Sequence, residues 1–274
     1  MLKQYLFLLL SLVFISACQS TRTSQPFNWP NNASVATAQF KHMVVTQAGN
    51  KNTERLHVYV EGDGLPFRNR FQISTDPSPR NPMMLQLMAQ DKTESLYLGR
   101  PCYFTNSNPL MADNLCDYHY WTDARYSDAI VTSMTNVLRQ QIGNHHYNGI
   151  TLIGHSGGGA LVMLMAARMP EVDQVVTLAG NLDTKAWTRY HHFSTLKNSL
   201  NPADLNKTVL PARQLHFMGD KDDNIPPVLM QYFLTRIGQQ GKILEGADHN
   251  CCWQLRWQEL LLQIDKQIAN DENR

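Results

Sequence analysis

A serine, a carboxylate and a histidine follow short apolar runs in this chain, in an order that builds a nucleophilic relay. The serine is Ser156, in Ile153-Gly154-His155-Ser156-Gly157-Gly158-Gly159. The carboxylate comes from Gly219-Asp220-Lys221-Asp222-Asp223-Asn224-Ile225-Pro226-Pro227, and the histidine from Gly246-Ala247-Asp248-His249. A serine hydroxyl is a weak nucleophile until a base takes its proton. The base in turn needs a third group to hold its tautomer and orientation. Asp220, Asp222 and Asp223 all stand as candidates for that third group, and a merely solvated acidic turn is the competing reading. Among the 10 histidines, His249 is singled out because the base must follow the acid on a later strand end.

These residues need elements to carry them. Gly149-Ile150-Thr151-Leu152-Ile153 is short and β-branched, which predicts a buried strand. Ala160 to Ala167 is rich in Ala, Leu and Met and free of Pro, which predicts a buried helix. A strand that turns sharply into a helix holds a strained serine only if its neighbours are small, and Gly154 and Gly158 meet that need. A phosphate-cradling turn is the competitor. The chain has no G-x-x-x-x-G-K-[ST], and the G-x-G-x-x-G spacing is absent from this turn.

The same reasoning predicts strands at 41–46, 56–60, 95–98, 174–180, 213–218 and 242–245. Helical spacing appears over 84–88, 128–142, 226–238 and 257–268. Strands alternating with helices imply an α/β fold, a mostly parallel central sheet with helices on both faces. The acid and histidine loops then leave strand ends, where open α/β sheets build their sites. Residues 183–210 are mixed and are expected to form at most a small cap, which His191 and His192 would line. The segment 102–127 is long and irregular, as functional or pinned loops are. Arg100, Trp121 and Arg125, in or near it, read as packing and ion-pairing residues.

With these motifs in view, the chain resembles the α/β-hydrolase superfamily. The matching positions are Gly154-His155-Ser156-Gly157-Gly158, Gly219-x-x-Asp222-x-x-x-Pro226 and Gly246-x-x-His249. They span most of the sequence after residue 55. The resemblance implies a serine hydrolase with Ser156 as nucleophile, His249 as base and Asp222 as the orienting acid, with Asp223 the runner-up. It implies oxyanion donors at the amides of Gly157 and of Asp63, the latter in Glu61-Gly62-Asp63-Gly64, with Gly62 and Gly64 as alternatives. Related enzymes often carry histidine where this chain has Glu61, so an acidic group is expected beside the site. No metal and no cofactor is implied. The expected substrate is a small-molecule or lipid-like acyl compound, with a carboxylic ester first. A prolyl-oligopeptidase-like peptidase and a non-catalytic binding scaffold are the alternatives.

The whole chain bounds these expectations. Its 274 residues suffice for one sizeable core, and a net charge of +1 gives no electrostatic case for nucleic acid. The N-terminus is a separate object. Met1-Leu2-Lys3-Gln4 is basic, Tyr5 to Ile15 is apolar, and Ser16-Ala17-Cys18 has cleavage-site chemistry. Ile15-Ser16-Ala17-Cys18 resembles the lipobox of bacterial lipoproteins, against the simpler reading of an ordinary signal peptide. The resemblance implies a signal peptide over 1–17, lipidation of Cys18 and a lipid anchor in the cell envelope. Gln19 points to the periplasmic face of the outer membrane. Residues 18–35 read as a flexible tether, and 36–274 as one hydrolase domain. Export leaves four cysteines in an oxidising compartment. Of the three pairings, Cys102 with Cys116 is favoured, leaving Cys251 and Cys252 as a vicinal pair or as thiols that brace the His249 loop.

Overall fold

The computed structural model describes residues 28–50 and 54–272. The signal segment, Cys18 and the first part of the tether lie outside the described residues. In chain order the strands are β1 (Ala33–Thr37), β2 (Lys41–Gln47), β3 (Arg55–Val60), β4 (Phe67–Asn69), β5 (Gln72–Ile73), β6 (Glu94–Leu98), β7 (Gly149–His155), β8 (Val172–Leu178), β9 (Arg213–Gly219) and β10 (Gly241–Leu244). The helices are α1 (Met83–Met88), α2 (Asp128–Ile142), α3 (Gly157–Ala166), α4 (Thr184–Tyr190), α5 (Pro227–Arg236) and α6 (Trp253–Glu272).

One sheet runs in the order β1-β2-β6-β3-β7-β8-β9-β10, and β4 and β5 form a separate hairpin. Only β2 runs against its neighbours. The remaining pairs, from β6 through β3 and β7 to β10, are parallel. Parallel strands covered on both faces must be apolar throughout, because neither face meets water. The central strand obeys this: every residue of β7 is buried. So is every residue of α3, which packs on β7 and β8. Helix α3 is apolar all round, as a helix at the centre of a domain must be.

The chain leaves β3 toward β6 and leaves β7 toward β8, so the connections diverge at this central pair. Such a divergence opens a crevice at the C-terminal strand ends, where α/β sheets bind ligands. Ser156 follows β7 and Asp63 follows β3. The acid and histidine loops follow β9 and β10 at the same edge.

The parallel α/β architecture stands as expected, with strand ends shifted by at most two residues. Three details differ. Strand β1 begins within the stretch expected to be tether and runs two residues past it, and the Trp29 ring packs edge-on to Phe104. Its short, weakly apolar sequence gains stability only by pairing with β2. The β4–β5 hairpin was not anticipated, because its strands are too short for a period to register. Residues 183–210 hold one short helix and two single turns, and from this segment Trp187 and residues 191–196 wall the crevice.

Two disulfides form, Cys102–Cys116 and the vicinal Cys251–Cys252. The first has the expected pairing and spans 14 positions of the irregular segment. A loop of this size lowers unfolded-chain entropy by about 3 kcal/mol at room temperature. Replacing both Cys102 and Cys116 by Ser is therefore expected to lower unfolding free energy by up to about that amount. Urea unfolding read by circular dichroism checks it, and an unchanged midpoint contradicts it.

Candidate active site

Ser156 sits between β7 and α3 at φ 53°, ψ −120°. That left-handed conformation costs a non-glycine residue energy and persists only where the surroundings impose it. Here they do. The Ser156 amide donates to Leu178 O at 3.0 Å, and its carbonyl accepts from Gly159 and Asn181 amides. Glycines permit the fold of the turn: a Cβ on Gly154 would strike the backbone of Gly158, and one on Gly158 would strike the carbonyls of Val60 and Glu61.

The structure brings the three sequence candidates together. Ser156 Oγ lies 3.0 Å from His249 Nε2. His249 Nδ1 lies 2.9 Å from Asp222 Oδ2. Asp222 is 3% exposed, and its other oxygen accepts from the amides of Asn224 and Ile225 at 3.0 and 2.7 Å. Its carboxylate is therefore held from both ends. Asp223 is exposed, and Asp220 instead accepts from the Gly246 amide. Of the three acids Asp222, the one the resemblance implied, is the one hydrogen-bonded to His249.

His249 is positioned through its own backbone. Its carbonyl accepts from His155 Nε2 at 2.8 Å and from Trp253 Nε1 at 3.2 Å. Burial, then the neighbouring His249, pushes His155 down to about 3, so its ring stays neutral and donates steadily. Beyond His249, the Asp248 amide donates to Cys251 O at 2.9 Å. Asp248 Oδ1 accepts from the amides of Asn250 and Cys251. The vicinal disulfide lies in this turn, across a cis peptide bond.

The Glu61–Gly64 loop crosses the elbow. A Cβ on Gly62 would sit 3.2 Å from Ser156 Cβ, and one on Gly157 would overlap Asp63 Oδ1. Gly157 begins α3, so its amide is among the helix-end donors with no partner inside the helix. The half-buried Asp63 carboxylate forms ion pairs with Arg100 and Arg125. Tyr126 OH donates to it at 2.6 Å, and Tyr103 OH donates to the Asp63 carbonyl at 3.0 Å. Burial raises this carboxyl, but the two guanidiniums outweigh it and hold Asp63 well below the usual carboxylate range. The ion-pairing reading of Arg100 and Arg125 stands, yet their partner lies at the elbow itself. The signal available in sequence was a pair of arginines flanking an aromatic loop, which names no partner.

Glu61 differs from expectation. Its carboxylate turns to the start of α1 and accepts from the Met84 amide at 2.9 and 3.2 Å. Burial pushes it up to about 8. The expected negative charge beside the site is thus a buried, helix-capping acid.

The crevice has a volume of about 1600 Å³ and is lined by Ser156, His249, Asp63, Arg125, Trp187, His191 and the tip of the β4–β5 hairpin, among others. Trp121 stays outside this wall and donates to Ser74 O. Other histidine pairs are structural. His42 contacts Ser133 Oγ at 2.8 Å, and His57 contacts Asp91 at 2.6 Å, both fully buried within the fold.

This topology and strand-end geometry define an α/β-hydrolase fold. No family model matches the chain, and no curated protein matches it. Solved structures do. A lidless α/β serine hydrolase from Xanthomonas campestris is 12% identical over 88% of this chain and 96% of its own, with a TM-score of 0.53. Est1E from Butyrivibrio proteoclasticus is 14% identical over 87% and 99%, with a TM-score of 0.57. An esterase from Pyrococcus furiosus is 10% identical over 87% and 90%, with a TM-score of 0.59. At these identities the likeness is one of fold.

The buried Glu61 has a stability consequence. An acid raised in the folded state holds a proton that the unfolded chain has already released. Its contribution is fully present below about 4.5 and is lost as pH rises through about 8. Wild-type stability should therefore fall across that window more steeply than that of Glu61→Gln, which stays neutral. Denaturant unfolding from pH 4.5 to 8.5 measures the two slopes, and parallel profiles contradict the assignment.

Proposed function

We propose that the chain is a serine hydrolase acting on carboxylic esters. The single observation that carries this is the hydrogen-bonded run from Ser156 Oγ through His249 to a buried, doubly held Asp222. In this reading Ser156 Oγ attacks the acyl carbon while His249 Nε2 takes its proton. Asp222 holds the ring through Nδ1–H and stabilises the imidazolium. The amides of Gly157 and Asp63 receive the developing oxyanion. The intermediate collapses as His249 returns the proton to the leaving alcohol. Water, activated by the same histidine, then releases the acid from Ser156. The description of a similarly folded protein as an esterase supports an ester over a peptide.

Labelling with a fluorophosphonate probe tests the reading. Wild type should label, and Ser156→Ala should not. Asp222→Asn should lose roughly 10⁴-fold in kcat on a p-nitrophenyl ester, because the histidine then adopts the wrong tautomer. Equal labelling of wild type and Ser156→Ala rejects the assignment.

The proposed setting is the cell envelope, with the chain anchored through lipidated Cys18 on the periplasmic face of the outer membrane. The N-terminal sequence and two disulfides in the folded part support it. Among the described residues no helix is long and apolar enough to cross a membrane. Radiolabelled palmitate should enter the wild-type chain and not Cys18→Ser. Label retained in that variant overturns the anchor.

A further inference from the structure

The cluster around Asp63 carries more positive charge than it cancels. Two guanidiniums, Arg100 and Arg125, share one carboxylate. Its two phenols stay neutral: burial pushes Tyr103 up to about 12 and Tyr126 well above the usual range. Among the described residues neither guanidinium forms an ion pair with a second acid. Glu61 is raised by burial and caps α1. Asp123 is engaged by His119 and Asn198. Asp76 accepts from Ser78, Thr105 and Asn106. A buried charge without a partner is costly, so an unbalanced guanidinium beside a crevice is a receptor for an anion.

Arg125 is the member that can act as one. It is 6% exposed and lines the crevice with Ser156 and His155. Its Nε donates to Thr122 O at 2.6 Å and its Nη1 to Asp63 Oδ2 at 3.0 Å. Its Nη2 has no hydrogen-bond partner among the described residues. Arg100, by contrast, is 1% exposed and is turned to Asp63 and the Arg125 carbonyl. Arg125 thus lines the same crevice as Ser156 and His249. Two of its nitrogens are fixed by protein acceptors, so the third is aimed before any substrate arrives, and little ordering cost remains.

We infer that Arg125 is a substrate-anion receptor, and that the hydrolase prefers esters carrying a carboxylate or comparable anionic group near the scissile bond. This rests on the hydrolase reading and narrows its substrate class. The anion can lie on the acyl side or on the leaving-group side, and the Nη2 donor serves either.

Matched esters test it on the full-length chain. For the acyl side, p-nitrophenyl hemiglutarate is compared with p-nitrophenyl valerate. For the leaving side, 4-acetoxybenzoate is compared with its methyl ester. In at least one pair wild type should favour the anionic member in kcat/KM by roughly tenfold to a hundredfold, the worth of a hydrogen bond to a charged group. Arg125→Gln should bring that ratio near one. Arg125→Lys should retain part of it, because the charge remains while the fork is lost. If the glutamine variant fails to fold, the lysine variant alone must still reduce the ratio. Equal handling of both members in both pairs by wild type overturns the inference. So does an Arg125→Gln variant that slows both members by one factor, which marks support of the oxyanion alone. Calorimetric titration of Ser156→Ala with p-nitrophenyl hemiglutarate and with 4-acetoxybenzoate separates this from failure of the hydrolase reading. If wild type turns over no ester, Arg125-dependent binding of either anionic ester upholds the receptor, and absence of binding for both overturns it.

Discussion

The site depends on how closely two backbones approach at the end of the central strands. Helix α3 enters the sheet with Gly158 against the carbonyls of Val60 and Glu61. No side chain fits there, so the first turn of α3 lies directly on the loop that follows β3. That contact fixes Ser156 in its left-handed turn and sets the Asp63 loop across it. The histidine loop is then bound to the same turn, because His155 holds the carbonyl of His249. Ser156, His249 and the Asp63 loop thus share one backbone contact, and Asp222 is positioned separately, by amides of its own loop.

How charge is distributed follows from burial. His155 is kept neutral by its depth, and Glu61 is raised by the same cause. Neither places a fixed charge beside Ser156. The ions that remain close to it are gathered into the Asp63 cluster, where paired guanidiniums, phenols and one carboxylate hold each other in place. Low local dielectric strengthens such a network and penalises any member left unpaired. The loop carrying Asp63 is therefore braced from behind by these ion pairs.

Much of this was legible in the sequence, for a physical reason. The elbow, the acid loop and the histidine loop are each a strand followed by a turn, and such units are coded locally by β-branched runs and glycines. Their chain order supplied the rest. Choosing Asp222 over Asp220 and Asp223 by physical means required distances, because neighbouring acids in a turn differ only in where the chain points them. The partnership of Asp63 with Arg100 and Arg125 was hidden because it joins residues 37 and 62 positions apart through a segment with no periodicity. Strand β1 and the β4–β5 hairpin were hidden because short polar strands owe their shape to neighbours rather than to their own propensity.

The Cys102–Cys116 bridge has a consequence for the integrity of the crevice wall. The segment it closes is the longest irregular stretch between β6 and α2, the kind of surface that proteases cut first. Tyr103, which reaches the Asp63 carbonyl, lies inside that loop, and Arg125 lies just beyond it. A single cut anywhere between residues 103 and 115 leaves both new ends in one covalent molecule. The wall can be nicked without the chain coming apart, so a nicked chain would retain its full mass until reduced.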